Sequence, residues 1–139
     1  MLHKHLTGEI IKAFYDVYNE LGYGFLERVY QNALFIELKQ RGFDVEAQKK
    51  ISVYYKEHLV GDYFADIIVN NKVILELKAA EYIIDEFEYQ LINYLKSTDC
   101  EVGLLLNFGK EPEFSRKIFS NVKKKIRINP SNPLHLRSN

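Results

Sequence analysis

Apolar residues recur at helical spacing in the first forty residues of the chain. One stripe runs over residues 7–21 and a second over residues 26–40, and Gly22 and Gly24 interrupt the pattern between them. This predicts two helices joined by a short glycine-containing loop, which pack as a pair.

The middle of the chain changes to the alternation of apolar and polar residues that is typical of strands. Short turns separate three such segments, which predicts an antiparallel meander over residues 43–55, 59–69 and 73–77. A helix at 86–97 and a nearly continuous apolar strand at 101–108 are predicted to follow. The last predicted element is an amphipathic helix at 115–125, with Ile118, Phe119 and Val122 facing inward.

The predicted order is therefore α-α-β-β-β-α-β-α. It indicates an α/β fold with a mixed β-sheet core flanked by helices on both faces. We expect the strand at 101–108 to pair in parallel after its crossover helix, with a right-handed connection.

Length and composition narrow the class of protein. A chain of 139 residues that is 47% apolar predicts a single domain, here residues 1–126, followed by a flexible C-terminal tail at 127–139.

Nineteen basic residues cancel nineteen acidic ones, so net charge does not indicate a nucleic-acid or membrane binder. A single cysteine excludes a disulfide framework, and no apolar run approaches the roughly 18 residues of a membrane span. We expect a cytoplasmic protein with no membrane partner.

Three charged residues lie inside the apolar strand pattern: Asp66, Glu76 and Lys78. A charge buried in a strand is costly unless it is paired or binds a metal ion. The three residues therefore form either a structural ion cluster or an active site.

The turn at Asn70 and Asn71 decides whether the charges meet. Glu76 and Lys78 share a face because side chains two apart on a strand do so. A two-residue turn would place Asp66 opposite Leu75, facing away from Glu76. We predict an odd-length or bulged turn, since Asn tolerates the left-handed conformation that such turns need.

With that turn, two carboxylates and an ammonium group converge. Oxygen ligands of this kind suit Mg²⁺, which takes one or two carboxylates together with water and substrate phosphate. The set fits metal-assisted phosphodiester hydrolysis. The alternative, a salt bridge among the three side chains, stays open because the motif is short.

Two further motifs accompany this triplet. Residues 24–30 read G-x-x-E-x-x-Y at a predicted helix start, and residues 90–94 read Q-x-x-x-Y on the helix that follows the lysine strand. Together with Asp66 and the Glu-Leu-Lys strand, they resemble the GxxExxY family of the PD-(D/E)XK nuclease superfamily. The resemblance covers about residues 7–122 and implies a restriction-endonuclease-like core.

The resemblance also implies roles for individual residues. The implied catalytic set is Glu27, Asp66, Glu76 and Lys78. The implied ligands of Mg²⁺ (or Mn²⁺) are the three carboxylates and the backbone carbonyl of Leu77, and Lys78 would position or activate water. Gln90 and Tyr94 are implied to contact substrate; we expect Tyr30 to pack nearby, with its hydroxyl bonded to a site carboxylate or to substrate. The sequence departs from the pattern at Tyr18 and Phe87, where related proteins often carry histidine.

These observations lead to competing functions. The first is a metal-dependent nuclease that hydrolyses DNA. The alternative is a non-catalytic nuclease-fold module that binds nucleic acid or a protein partner, and a third is a nuclease that acts on RNA. Exonuclease and endonuclease action both stay open, and a homodimer is an expectation based only on how common dimers are.

Overall fold

The chain folds as two helices, a three-stranded meander, a third helix and further strands. The computed structural model describes residues 1–124 in full and only the backbone of residues 126–129 and 132–138. The elements in order are α1 (Lys4–Leu21), α2 (Glu27–Gln40), β1 (Val45–Tyr55), β2 (His58–Val69), β3 (Val73–Lys78), α3 (Asp85–Lys96), β4 (Val102–Phe108), β5 (Pro112–Ile118), a 3₁₀ turn (Asn121–Lys123), β6 (Ile126–Asn129) and β7 (Asn132–Ser138).

The strands form one mixed sheet in the order β5-β4-β3-β2-β1-β7-β6. The meander β1-β2-β3 is antiparallel, whereas β4 runs parallel to β3 after the crossover through α3. This confirms the α/β class, the meander and the parallel final core strand. No helix in the described part of the chain is long and apolar enough to cross a membrane.

Helices cover both faces of the sheet, as predicted. Helices α1 and α2 pack on one face around Phe14, Leu34 and Phe108. Helix α3 packs on the other face through Leu91 and Leu95. Strands β3 and β4 lie between these layers and are buried along nearly their whole length, which explains their almost continuous apolar sequences.

The prediction of a last helix at 115–125 is wrong. Residues Pro112–Ile118 form the edge strand β5, antiparallel to β4, and the 3₁₀ turn follows. Ile118 and Val122, predicted to face inward, are 52% and 88% exposed, and only Phe119 packs against the core. The outer edge of β4 carries buried backbone N–H and C=O groups that need partners, and pairing with β5 satisfies them.

The flexible tail predicted at 127–139 falls on the segment of β6 and β7. The backbone of Asn132–Ser138 pairs in parallel with β1 at Val53 and Tyr54. Residues 125, 130, 131 and 139 lie outside the described residues. Flexibility of the tail stays a prediction.

Candidate active site

A three-residue turn sets the register of the hairpin that carries the charged residues. The pairs Ile67–Leu75 and Val69–Val73 leave residues 70–72 as the loop, and Lys72 N–H donates to the carbonyl of Val69 at 3.0 Å. Asn70 and Asn71 both adopt positive φ, 53° and 54°. The odd-length turn is confirmed, and the same register places Asp66 opposite Glu76.

The regular backbone ladder stops where the two acidic residues begin. The Asp66 carboxylate accepts a hydrogen bond from the Leu77 N–H at 2.9 Å, and the Glu76 carboxylate accepts one from the Asp66 N–H at 3.3 Å. Each acidic side chain therefore bonds the backbone of the opposite strand, and the two carboxylates are held next to each other in the gap between β2 and β3.

The two carboxylates are electrostatically costly to keep ionised. Burial, followed by the charge of Asp66, raises the pKa of Glu76 to about 8. Burial also raises the pKa of Asp66, against the opposing effects of the Leu77 N–H and Lys78. Glu76 is only 3% exposed. A buried, adjacent pair of like charges is unfavourable unless protons or a cation neutralise it.

Lys78 does not neutralise the pair through a direct ion pair. Within residues 1–124, no salt bridge joins Lys78 to Asp66 or Glu76. Its ammonium group instead lies 4.8 Å from the centroid of the Phe87 ring. It acts on both carboxylates through charge alone and lowers their pKa. The alternative of a salt-bridge cluster is therefore not what the structure contains.

Glu27 is the first residue of α2 and is exposed. Its charge reaches Glu76 but is the weakest of the effects on that pKa. In the described part of the chain, no three or more His, Cys, Asp or Glu side chains are arranged to hold a metal ion. The structure thus brings Asp66 and Glu76 together and leaves Glu27 outside the pair.

Leu77 lies between Glu76 and Lys78 on β3 and pairs with Leu106 of β4. Its N–H is the group that holds Asp66. A role of its carbonyl as a metal ligand stays a prediction.

Gln90 and Tyr94 lie one turn apart on one face of α3. Burial, followed by the charges of Glu76 and Asp66, raises the pKa of Tyr94 to about 12, against the opposing effect of the Gln90 side chain. Tyr94 therefore keeps its proton across neutral pH, so near this site it is a hydrogen-bond donor and not a base.

Tyr30 is placed differently from the sequence-based expectation. It is fully buried and its ring stacks on Phe108 with a centroid distance of 4.3 Å. Its hydroxyl donates to the carbonyl of Gly22 at 2.7 Å and accepts from the N–H of Phe25 at 3.2 Å. The expectation that Tyr30 bonds a site carboxylate or contacts substrate is corrected: it fixes the loop that precedes Glu27.

Sequence reasoning missed Gln48 and Gln31. Gln48 lies opposite Asp66 in the register of β1 and β2, but its φ of 53° removes it from the ladder. Its side-chain amide donates to Gln31 Oε1 at 3.0 Å and to Asp66 Oδ1 at 3.4 Å. Gln31, on α2, is buried. The alternation of apolar and polar residues along β1 gives no sign of this role, because the role depends on the positive φ of Gln48.

Comparisons with known proteins identify a family for this chain. A family model described as PD-(D/E)XK nuclease superfamily matches residues 4–118. No curated protein matches the chain. Among solved structures, the one titled "Crystal structure of SSO0001" is similar at 18% sequence identity and a TM-score of 0.49, over 64% of this chain and 50% of that chain. The matched region thus spans about half the length of that protein.

Proposed function

Because the chain belongs to the PD-(D/E)XK nuclease superfamily, we propose that it is a metal-dependent nuclease that hydrolyses phosphodiester bonds, with DNA as the substrate to be tested first. The observation that carries the proposal is the pair formed by the half-buried Asp66 and the buried Glu76. Each carboxylate accepts a hydrogen bond from the backbone of the opposite strand, and neither forms a salt bridge within the described residues. The G-x-x-E-x-x-Y and Q-x-x-x-Y motifs support assignment to the GxxExxY family.

The donor set fits a hard divalent cation. Asp66 and Glu76 offer oxygen atoms only, and burial raises the pKa of both, so a bound cation would stabilise their ionised forms. These two residues would hold Mg²⁺ or Mn²⁺, with Glu27 and the Leu77 carbonyl as additional proposed ligands. Such a cation, when bound, lowers the pKa of water and neutralises developing charge on a phosphate.

Lys78 and Tyr94 supply complementary groups around this pair. Lys78 is a point charge on the same face as Glu76, and its ammonium group lies over the Phe87 ring, without a salt bridge to either carboxylate within residues 1–124. That position leaves the ammonium available to a phosphate oxygen or an attacking water. Tyr94, protonated at neutral pH, can donate a hydrogen bond to the same phosphate.

A cleavage assay tests the proposal. The wild-type protein is incubated with single-stranded DNA, double-stranded DNA and single-stranded RNA, each with Mg²⁺, with Mn²⁺ and with EDTA. An Asp66→Asn preparation, purified in parallel, gives the background. We expect cation-dependent cleavage by the wild type alone. Cleavage that is equal in both preparations, or that persists in EDTA, contradicts the proposal.

Lys78→Met is expected to separate catalysis from cation binding. Removing one group that stabilises transition-state charge lowers the cleavage rate by about 100-fold or more. The cation affinity should be maintained or increased, because loss of a neighbouring positive charge favours a bound cation. Single-turnover cleavage and a calorimetric Mn²⁺ titration measure the two effects. Lys72→Met, in the exposed turn before the same strand, is the matched control; a parallel loss in that control would contradict a specific role for Lys78.

The second candidate is the non-catalytic binding module. The position of Glu27 outside the acidic pair favours it, as does the absence of a three-residue ligand set in the described residues. A titration that detects no Mg²⁺ or Mn²⁺ binding, together with retained nucleic-acid binding, would select this candidate. A cytoplasmic location and a homodimer stay predictions.

A further inference from the structure

A cleft of about 400 Å³ is lined by residues that neighbour Glu27 and Lys78 in the sequence. Its walls are three segments: residues 23–25, residues 79–81 and residues 108–110. The first segment ends two residues before Glu27, and the second begins directly after Lys78. The cleft therefore lies at the carboxyl ends of β3 and β4, the edge where open α/β sheets commonly bind ligands.

Two tyrosine side chains fix the backbone of two of the walls. The Tyr30 hydroxyl bonds Gly22 and Phe25. The Tyr18 hydroxyl donates to the carbonyls of Gly109 and Lys110 at 2.9 and 2.7 Å. A ligand that enters this cleft thus meets walls that are already ordered, which lowers the entropy cost of binding.

Asn107 and Gly109 fix the third wall against the second. The amide of the fully buried Asn107 accepts from the N–H of Ala80 at 2.9 Å and donates to its carbonyl at 3.0 Å. A side chain at position 109 would place its Cβ 2.4 Å from the Ala80 carbonyl oxygen, so the close approach of the two walls requires glycine there.

The lining of the cleft combines exposed aromatic rings with little net charge. Tyr23 is 59% exposed and Phe25 is 46% exposed, and both adjoin the cleft. Lys110 and Glu81 contribute one charge of each sign. A site for phosphate groups alone would be more basic. Aromatic faces with one donor and one acceptor group suit a flat, neutral heterocycle instead, that is, a nucleobase.

We propose that this cleft binds one unpaired nucleotide of the nucleic-acid strand next to the scissile phosphate, by stacking of its base on Tyr23 or Phe25. The inference rests on the proposed function, because the strand must pass the acidic pair. It adds a preference that the acidic pair cannot supply: the nucleotide in the cleft must be single-stranded or unpaired from its partner. Lys110 at the rim contacts the phosphate of that nucleotide.

The test follows stacking directly. Short single-stranded oligonucleotides carry 2-aminopurine at successive positions, since the emission of this base falls when it stacks on an aromatic ring. They are titrated in EDTA with the wild-type protein, with Tyr23→Ala and with the Tyr23→Ala/Phe25→Ala double variant. We expect quenching at a restricted set of positions, and the double variant should remove it and weaken binding by about 10-fold or more.

Tyr55→Ala is the control, since Tyr55 is similarly exposed but lies at the end of β1, outside the cleft. Thermal melting checks that all variants fold. Quenching that survives the double substitution, or an equal loss in Tyr55→Ala, overturns the inference, as does failure of the wild type to bind any oligonucleotide.

Cleavage is measured separately with unlabelled strands. Stacking without cleavage supports the cleft and removes the nuclease function, whereas cleavage without stacking does the reverse.

Discussion

Glu76→Gln is expected to stabilise the metal-free protein at pH 8 by about 1–3 kcal/mol and to abolish binding of divalent cations. The pKa of Glu76 is about 8 in the folded state against 4.5 as its ordinary value. Between these values the folded state holds a proton that the unfolded state releases. The wild type therefore loses stability as pH rises from 4.5 to 8. Glutamine mimics the protonated side chain and removes this loss, so the two proteins should have similar stability near pH 4.5.

Adding Mg²⁺ or Mn²⁺ should reverse the order of stability at pH 8. A ligand at 1,000 times its dissociation constant stabilises the folded state by about 4.1 kcal/mol, which exceeds the advantage of the variant, and only the wild type gains this. Thermal melting across pH, with EDTA or with the cation, measures both effects. Asp62→Asn is the matched control, because this exposed acid on β2 pairs with Lys50 outside the site. A Glu76→Gln protein that is less stable at pH 8 in EDTA, or that keeps cation-induced stabilisation, would contradict the prediction.

Substitutions at Gln48 are expected to separate backbone strain from support of the acidic pair. Gln48 has a φ of 53°, a conformation that costs a residue other than glycine about 1–2 kcal/mol. Gln48→Gly relieves the strain, whereas Gln48→Ala keeps it. The glycine variant should therefore be more stable than the alanine variant by about 1 kcal/mol, although glycine ordinarily weakens a strand.

Both variants should lose cation affinity to a similar extent. The Gln48 amide connects Asp66 with Gln31, and loss of a residue that orients a metal ligand typically weakens affinity by about 10- to 100-fold. Chemical denaturation and Mn²⁺ calorimetry give the two quantities. Gln31→Leu supplies the comparison, because it removes the orienting acceptor without changing the backbone at Gln48. Unchanged affinity in the glycine variant would limit Gln48 to a structural role.

The sequence predicted the elements correctly where a hydrophobic pattern is compatible with only one structure. Alternating residues separated by short turns can form a meander, and the apolar segment at 101–108 is too short for a membrane span and too apolar for a surface strand. The position of Asp66 relative to Glu76 was also predictable, because side chains on a strand alternate and only an odd-length turn brings these two together.

The sequence pattern led to a wrong prediction where the same pattern is compatible with two structures. The spacing of Ile118, Phe119 and Val122 is helical. Residues 112–118 nevertheless form a strand, because they pair with the open edge of β4. Local spacing contains no information about a backbone edge that another segment leaves unpaired. Tyr30 is a similar case: its motif suggested a place at the site, whereas the ring of Phe108 and the carbonyl of Gly22 hold it in the core.

What the sequence by itself determined is the class of fold, the register of the acidic hairpin and the identity of the central residues Asp66, Glu76 and Lys78. These follow from periodicity and from the cost of burying charge, which are local properties. Only the tertiary structure decided that Lys78 lies over Phe87 and not in a salt bridge, and that Gln48 supports Asp66. It also decided that three segments far apart in the chain line one cleft. Those outcomes depend on which elements pack together, and residues far apart in the chain make the contacts that settle them.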